Sequence, residues 1–129
     1  MAKKSFTGAV DRPWGQYQKL FQEAGVWVKR VEVRPGERLS LQKHNHRSEK
    51  WIIVSGDGLV VINNLTIAIT AGSVVDIPVH ALHRIANLGK KPLVFIEVAC
   101  GRELTEEDIV RLQDDYQRPG VKPPKKKAK

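Results

Sequence analysis

A regular succession of short strand-like runs, separated by turns, restricts this chain to an all-β fold. The clearest example is LVVI-NN-LTIAIT, in which Asn63 and Asn64 form a two-residue connection between two apolar runs. Asparagine tolerates the positive φ that such tight hairpin turns require. Glycine, proline or asparagine separates most of the remaining runs, which span 26–33, 38–46, 51–56, 73–78, 83–87 and 92–98. Strands at this spacing predict a sandwich or a barrel.

Two segments instead carry a helical pattern. Residues 18–25 are compatible with a short helical turn that ends at Gly25. Later, Thr105 can cap a helix whose first turn is acidic, and apolar residues then recur at helical spacing. The acidic residues are Glu106, Glu107 and Asp108, and the apolar ones are Ile109, Leu112 and Tyr116. We therefore predict a short C-terminal helix over 105–116, ending near Arg118, with the acidic turn serving only to cap it.

The length of 129 residues fits one domain with a modest core. We assign residues 1–11 to a loosely held arm, 12–118 to the domain, and 119–129 to a disordered lysine-rich tail. Five lysines lie in the last eight residues, so without them the formal net charge falls from +8 to +3. The body of the protein is only mildly basic, and nucleic acid is not an expected partner beyond a weak, salt-sensitive contact through the tail.

Cysteine content and hydropathy indicate the compartment. Cys100 is the only cysteine, so an intrachain disulfide is impossible and a reducing environment fits; we expect this thiol to be a buried small side chain. The N-terminal residues contain no apolar run long enough for a signal peptide, and no stretch has the length of a membrane span. These features predict a cytoplasmic protein with no membrane contact.

A polar strand face is the main candidate for function. In the run 38–46, alternate residues share a face, so Ser40, Gln42, His44 and His46 lie opposite Leu39 and Leu41. If the strands form a barrel, four polar groups directed inward are costly unless something satisfies them. The amide oxygen of Gln42, the imidazole of His44 and the carboxylate of Glu49 are all ligands for first-row metals, and His83 can complete a set of four.

The spacing of these residues resembles a known pair of motifs. Gly36-x5-Gln42-x-His44-x4-Glu49-x6-Gly56 resembles the first cupin motif, with Gln in place of its first His. Gly72-x5-Pro78-x4-His83-x3-Asn87 resembles the second, with His80 where Gly is usual. The resemblance implies a cupin double-stranded β-helix, a jelly-roll barrel, with one divalent metal ion bound by Gln42, His44, Glu49 and His83. Zinc or manganese is expected first, and iron, nickel or cobalt would also suit this ligand set.

A longer pattern narrows the resemblance. RPWGxY, VKR, PGxxLSLQxHxHRxExW, IPxxxxH, PLxxIEV and GRxLxExDIxRxxDxY occur in this order between about residues 12 and 118. Together they resemble the type II mannose-6-phosphate isomerase domain, which also forms the C-terminal half of bifunctional mannose-1-phosphate guanylyltransferases. The chain is expected to be a standalone domain of this type. It departs from the family pattern at Lys50, Ala99 and Glu103. The departures at Lys50 and Glu103 are expected to alter contacts with the substrate.

This resemblance implies a metal-dependent aldose–ketose isomerase that interconverts mannose 6-phosphate and fructose 6-phosphate. The cationic side chains of Arg47, Lys50 and Arg12 are candidates for contact with the phosphate or the transition state. Candidates for proton transfer are His46, His80 and Glu97. The apolar outer faces of small cupins commonly pair, so a homodimer is expected. The alternative is a non-catalytic cupin that binds metal and a sugar or sugar phosphate. A cupin dioxygenase more often has three His and one Glu, and Gln42 argues against it.

Overall fold

The computed structural model describes residues 8–117 and contains eleven strands in two antiparallel sheets. The strands are β1 (Val10–Arg12), β2 (Gly15–Glu23), β3 (Val26–Val33), β4 (Leu41–Lys43), β5 (Ser48–Ser55), β6 (Gly58–Ile62), β7 (Leu65–Ile69), β8 (Val74–Ile77), β9 (His83–Asn87), β10 (Leu93–Cys100) and β11 (Val110–Gln113). The six-stranded sheet has the order β1-β2-β3-β10-β5-β8, and the five-stranded sheet has the order β11-β4-β9-β6-β7. The predicted all-β fold is confirmed.

The core lies between the inner faces of the two sheets. Val31, Trp51 and Phe95 come from the six-stranded sheet, and Val60 and Ile85 come from the five-stranded sheet. The rings of Trp51 and Phe95 stack with their centroids 4.5 Å apart. The predicted hairpin is also confirmed, because β6 and β7 pair in register around Asn63, which has a φ of 52°.

Successive rows across the six-stranded sheet change from apolar to polar. The row that contains Phe95 pairs it with Val31 on one side and Ile53 on the other. Two residues further along β10, Glu97 pairs with Lys29 and Trp51. Because alternate residues of a strand share a face, the inner surface is hydrophobic at one end and bears charged side chains at the other. The register therefore places the polar groups together at one end of the barrel.

The predicted C-terminal helix is wrong: no helix forms between residues 8 and 117. Residues 105–108 form a turn closed by the Asp108 N–H donating to the Thr105 carbonyl, and Val110–Gln113 pairs with β4 as strand β11. The exposed edge of β4 offers a ladder of hydrogen bonds, and this tertiary pairing overrides the weak local preference for helix. The expected end of the helix at Arg118 lies outside the described residues.

Three smaller expectations also need correction or lie beyond the structure. Residues 18–25 do not form a helical turn, because β2 continues to Glu23 and a turn with Gly25 at a φ of 86° leads into β3. Cys100 is exposed rather than buried. Of the expected loose arm, Val10–Arg12 is the strand β1, paired with β2, whereas residues 1–7 and the lysine-rich tail lie outside the described part. Within that part, no helix of membrane-spanning length and hydropathy is found.

Candidate metal centre

The two sheets bring three metal-capable side chains to one point. His44 follows β4, Glu49 lies on β5 and His83 begins β9, and each is no more than 3% exposed. One candidate ligand atom from each lies within 4.8 Å of those of the other two. The Nε2 atom of His44 is 3.2 Å from an oxygen of Glu49, and the two imidazole centroids are 5.0 Å apart. This His/Glu/His group has the composition and spacing of a site for a divalent first-row ion.

Backbone carbonyls determine which nitrogen of each imidazole faces the cluster. His44 Nδ1 lies 2.7 Å from the Asp108 carbonyl oxygen, and His83 Nδ1 lies 2.9 Å from that of Ala81. A carbonyl oxygen can only accept, so each Nδ1 carries the proton and each Nε2 keeps its lone pair. Metal-binding histidines in proteins are usually held by such a second hydrogen bond. Both imidazoles are thus oriented as ligands by the protein itself.

Burial keeps both imidazoles neutral near pH 7. Burial lowers the pKa of His44 to about 4, and the positive charge of Arg47 acts in the same direction, against the opposing effect of Glu49. Burial likewise lowers the pKa of His83. A metal ion must displace any proton from its ligands, so a site whose histidines are already neutral needs no deprotonation step. The donor set therefore fits a divalent cation at neutral pH.

The carboxylate of Glu49 is held in its charged form. Arg47 Nε donates to one of its oxygens at 2.8 Å, and the indole N–H of Trp51 donates to the other at 2.9 Å. Burial alone would raise the pKa of Glu49, but the charge and the hydrogen bond of the Arg47 guanidinium lower it overall. A buried carboxylate is stable only when paired in this way. Glu49 can thus supply the negative ligand that the two neutral histidines lack.

Gln42 lies beside the cluster as the fourth expected ligand. It is directly opposite His83 in the pairing of β4 with β9 and is 8% exposed. Its amide nitrogen donates to the Ser40 hydroxyl at 2.9 Å. An amide has one donor end and one acceptor end, so engagement of the nitrogen leaves the oxygen as the atom suited to a cation. Its role as a metal ligand stays a prediction.

Glu49 and His83 of the cluster, together with Gln42, line a cavity of about 110 Å³. Four cationic side chains also contact this cavity, and Glu97 lies among them; the four are Arg12, Lys29, Arg47 and Arg111. Glu97 is 7% exposed and accepts a hydrogen bond of 2.8 Å from the indole N–H of Trp27. Burial and the charge of Glu49 raise the pKa of Glu97 to about 7, so near neutral pH the carboxyl can either give or take a proton.

The structure separates the remaining predicted site residues into two groups. Arg12, Arg47 and Glu97 line the cavity together with Glu49 and His83. His46, Lys50 and His80 are exposed instead. Lys50 lies on the outer face of the sheet and forms a 2.6 Å ion pair with Asp76. Lys50, one of the three residues at which the chain departs from the family pattern, therefore does not line the cavity.

His46 is exposed because the strand alternation stops before it. Strand β4 ends at Lys43, and the next residues form a loop. Consequently it is Arg47, not His46, that points inward, and Arg47 is 6% exposed. The Nδ1 of His46 is 3.8 Å from the carboxylate of Glu103 at the surface. The face predicted from residues 38–46 is correct as far as His44 and fails beyond it.

Sequence reasoning overlooked Lys29 and Glu106. Lys29 shares one face of β3 with the buried side chains of Trp27, Val31 and Val33, so it lies on the inner face. A lysine in phase with the apolar face of a strand was the signal that could have identified it. Glu106 was assigned to a helix cap, whereas its carboxylate binds Lys29 Nζ at 2.7 and 2.9 Å. No local sequence pattern indicates that pairing, because the two residues are 77 positions apart.

Solved structures identify the class of fold. A crystal structure of Lactobacillus farciminis oxalate decarboxylase aligns with a TM-score of 0.71 at 25% identity, over 81% of this chain and 33% of that one. The cupin domain of Schizosaccharomyces pombe Cnp3 aligns with a TM-score of 0.65 at 21% identity, over 67% of this chain and 64% of that one. The protein is a cupin, a double-stranded β-helix.

Sequence comparison identifies the family within that class. The profile of the family described as mannose-6-phosphate isomerase C-terminal matches residues 2–114. The alginate biosynthesis protein AlgA of Pseudomonas aeruginosa is 47% identical over 109 residues, which are 84% of this chain and 23% of that protein. The mannose-1-phosphate guanylyltransferase ManC of Salmonella typhimurium is 43% identical over the same fractions. The chain belongs to the mannose-6-phosphate isomerase C-terminal family, and it spans about a quarter of the length of these curated relatives.

We predict that acid destabilises the metal-free protein through His44. The folded-state pKa of about 4 lies below the ordinary value of 6.5, so as the pH falls between these values the unfolded chain gains a proton that the folded chain does not. The free energy of unfolding should fall across this window, with a contribution from His44 on the order of 3 kcal/mol. Chemical denaturation in chelator at a series of pH values measures it. His44→Gln should flatten the dependence, whereas the exposed-site control His46→Gln should not; equal slopes in all three proteins would contradict the assignment.

We also predict that metal retention depends on the cluster and on neither His46 nor the tail. Removal of a buried imidazole ligand should cost more than the roughly 10–100-fold in affinity that is typical of losing an outer-shell partner. His44→Ala and His83→Ala should therefore lose the ion on dialysis. Elemental analysis of the purified proteins measures this. His46→Ala and a chain lacking residues 119–129 should keep a wild-type metal content, and loss of metal from either would place the site elsewhere.

Proposed function

We propose that this domain is a metal-dependent isomerase that interconverts mannose 6-phosphate and fructose 6-phosphate. The observation that carries the proposal is the shared cavity: Glu49 and His83 of the His/Glu/His group, a carboxyl with a pKa of about 7 and several cationic side chains line it. An aldose–ketose isomerase needs these three kinds of group, because it must polarise a carbonyl, move a proton between adjacent carbons and hold a phosphate. Membership of the isomerase family supports the same reaction.

The residues proposed to hold the metal are Gln42, His44, Glu49 and His83. When bound, a divalent ion supplies Lewis acidity that draws charge from the carbonyl of the open-chain sugar. Zinc or manganese is proposed first, with iron, nickel and cobalt compatible with the same nitrogen and oxygen donors. The protein orients the two imidazoles through Asp108 and Ala81, and holds the carboxylate through Arg47 and Trp51.

Glu97 is the residue best suited to carry the proton. It must take a proton from one carbon of the sugar and return it to the neighbouring one, so a pKa near the working pH gives it both protonation states. The Trp27 indole N–H holds one carboxyl oxygen, which orients the other. Arg12 and Arg47 are proposed to contact the anionic parts of the substrate, since both line the cavity. The exposed positions of His46 and Lys50 do not support direct catalytic roles for them.

The test is turnover by the metal-loaded protein. Fructose 6-phosphate should be converted to mannose 6-phosphate, and Glu97→Gln should lower kcat roughly 100-fold or more while leaving the metal content unchanged. Lys50→Ala is the matched control, because Lys50 lies on the outer face, and it should keep kcat/KM within about twofold of wild type. Binding of sugar phosphates without turnover in any metal form would reject the isomerase and support the alternative, a non-catalytic cupin that binds sugar phosphate.

We further propose that the chain forms a homodimer through the outer face of the six-stranded sheet. Ile96, Ile52 and Val74 form a row across β10, β5 and β8, and Ile52 and Val74 are 49% and 65% exposed. An Arg30–Glu32 ion pair and a Lys50–Asp76 ion pair flank this row. Each flank thus carries both signs of charge, so a second copy related by a twofold axis can meet opposite charges.

Light scattering across a concentration series tests the dimer. Ile52→Lys should shift the protein to a monomer, because it places a charge in the centre of the apolar row. Leu88→Lys provides the control: Leu88 is an exposed apolar residue, at 66%, outside that sheet face. It should leave the mass unchanged. A monomeric wild-type protein at every concentration would reject the proposal.

A further inference from the structure

Lys29 is a buried cation on the inner face of β3. It is 5% exposed, and its Nζ lies 4.1 Å from the centroid of the Tyr17 ring and 4.2 Å from that of Trp27. Aromatic faces stabilise an ammonium group that has lost its water, but a buried charge also needs an ionic partner. Lys29 therefore marks a place inside the cavity that is built to receive an anion.

Glu106 supplies that partner from the turn that precedes β11. Its carboxylate binds Lys29 Nζ at 2.7 and 2.9 Å, and the Nζ of Lys19 lies 3.7 Å from one of its oxygens. One carboxylate thus faces two ammonium groups. Glu97, which lies opposite Lys29 on β10, accepts a hydrogen bond from the Trp27 indole, and the charge of Lys29 acts on it without a direct hydrogen bond between the two. A dianion in the position of the Glu106 carboxylate would balance the two lysines better than the single charge does.

The Glu106 side chain can leave this position without unfolding the turn. The Glu106 side chain is 40% exposed, whereas that of Lys29 is 6% exposed. The backbone of the turn is held on both sides of Glu106. Arg47 donates to the Thr105 carbonyl at 3.0 Å, and the Asp108 carboxylate accepts from the backbone N–H groups of Asn45 and His46. Rotation of one partly exposed side chain therefore removes the carboxylate partner of both lysines, although Lys19 Nζ keeps its 2.8 Å hydrogen bond to Gln22 Oε1.

We propose that Lys29 and Lys19 form a phosphoryl-binding subsite, and that the Glu106 carboxylate occupies it until a phosphorylated substrate displaces it. A phosphoryl group carries close to two negative charges and three acceptor oxygens, which suits two ammonium donors. Lys29 and Glu106 line the same cavity as Gln42 and His83, so the cavity connects the subsite to two of the proposed metal ligands. This assignment deepens the proposed isomerase function and rests on it for the identity of the sugar.

Titration with inorganic phosphate tests the subsite independently of turnover. Removing the competing charge with Glu106→Gln should lower the Kd for phosphate about tenfold, because the binding-competent state no longer requires displacement of a carboxylate. Glu107→Gln is the matched control: it removes the same charge one residue along, from another exposed side chain of the turn. It should change the Kd by less than about twofold. Equal effects of the two variants would show only a general charge effect and would overturn the proposal.

The lysine variants test the other half of the subsite. Lys29→Met should weaken phosphate binding at least about tenfold, and Lys19→Met, at a more exposed position, about threefold or more. Thermal unfolding checks that Lys29→Met still folds; if it does not, the Lys19→Met result decides. Unchanged phosphate affinity in the folded lysine variants would also overturn the proposal. If phosphate binds with these effects but the protein has no isomerase activity, only the proposed reaction is rejected. If the protein turns over substrate and Glu106→Gln leaves the KM unchanged, only the subsite is rejected.

Discussion

The orientation of the candidate metal centre depends on the contact between Asp108 and the loop after β4. The Asp108 carbonyl accepts from His44 Nδ1, and its carboxylate accepts from the N–H groups of Asn45 and His46. A loop that leaves a sheet loses the ladder partners of its backbone, and unpaired N–H groups are costly away from water. The Asp108 carboxylate replaces those partners, and the Asp108 carbonyl selects the tautomer of His44. The segment before β11, which looks like a helix cap in the sequence, is therefore part of the site.

The register of the six-stranded sheet explains why a metal-capable cluster and buried charges can coexist with a stable core. Along β10, Leu93 and Phe95 contact apolar neighbours, whereas Glu97 lies between Lys29 and Trp51. The apolar rows supply the burial that stabilises the fold. The polar rows are confined to one end, where indole N–H groups and ion pairs satisfy most of the charges that burial would otherwise penalise. The candidate site is thus confined to a few rows and does not interrupt the core.

How far the sequence predicts this protein depends on how local each interaction is. Turn residues such as Asn63, together with strand alternation, predict the strands, because these are short-range effects. The motif spacing also places Gln42, His44, Glu49 and His83 correctly near one another, since the barrel brings those positions together. The alternation cannot show that β4 ends at Lys43, because the loop that follows depends on Asp108, 62 to 64 residues away. Distance along the chain also explains why the pairing of Lys29 with Glu106 was missed. The helix predicted over 105–116 was wrong because local propensity favoured a structure that pairing with β4 prevents.

Arg47 contacts both the candidate metal ligands and the turn that carries Glu106. Its Nε binds the Glu49 carboxylate, its Nη2 lies 3.3 Å from His44 Nε2, and its Nη1 donates to the Thr105 carbonyl beside Glu106. The guanidinium also lies over the Trp27 ring, whose other contacts include Lys29 and Glu97. The planar guanidinium group has five N–H donors in a rigid arrangement, so it can hold several acceptors in fixed relative positions, which a lysine could not do. Because the same guanidinium contacts the candidate metal ligands and the turn that carries Glu106, a charge bound at either proposed subsite would act on the same side chain.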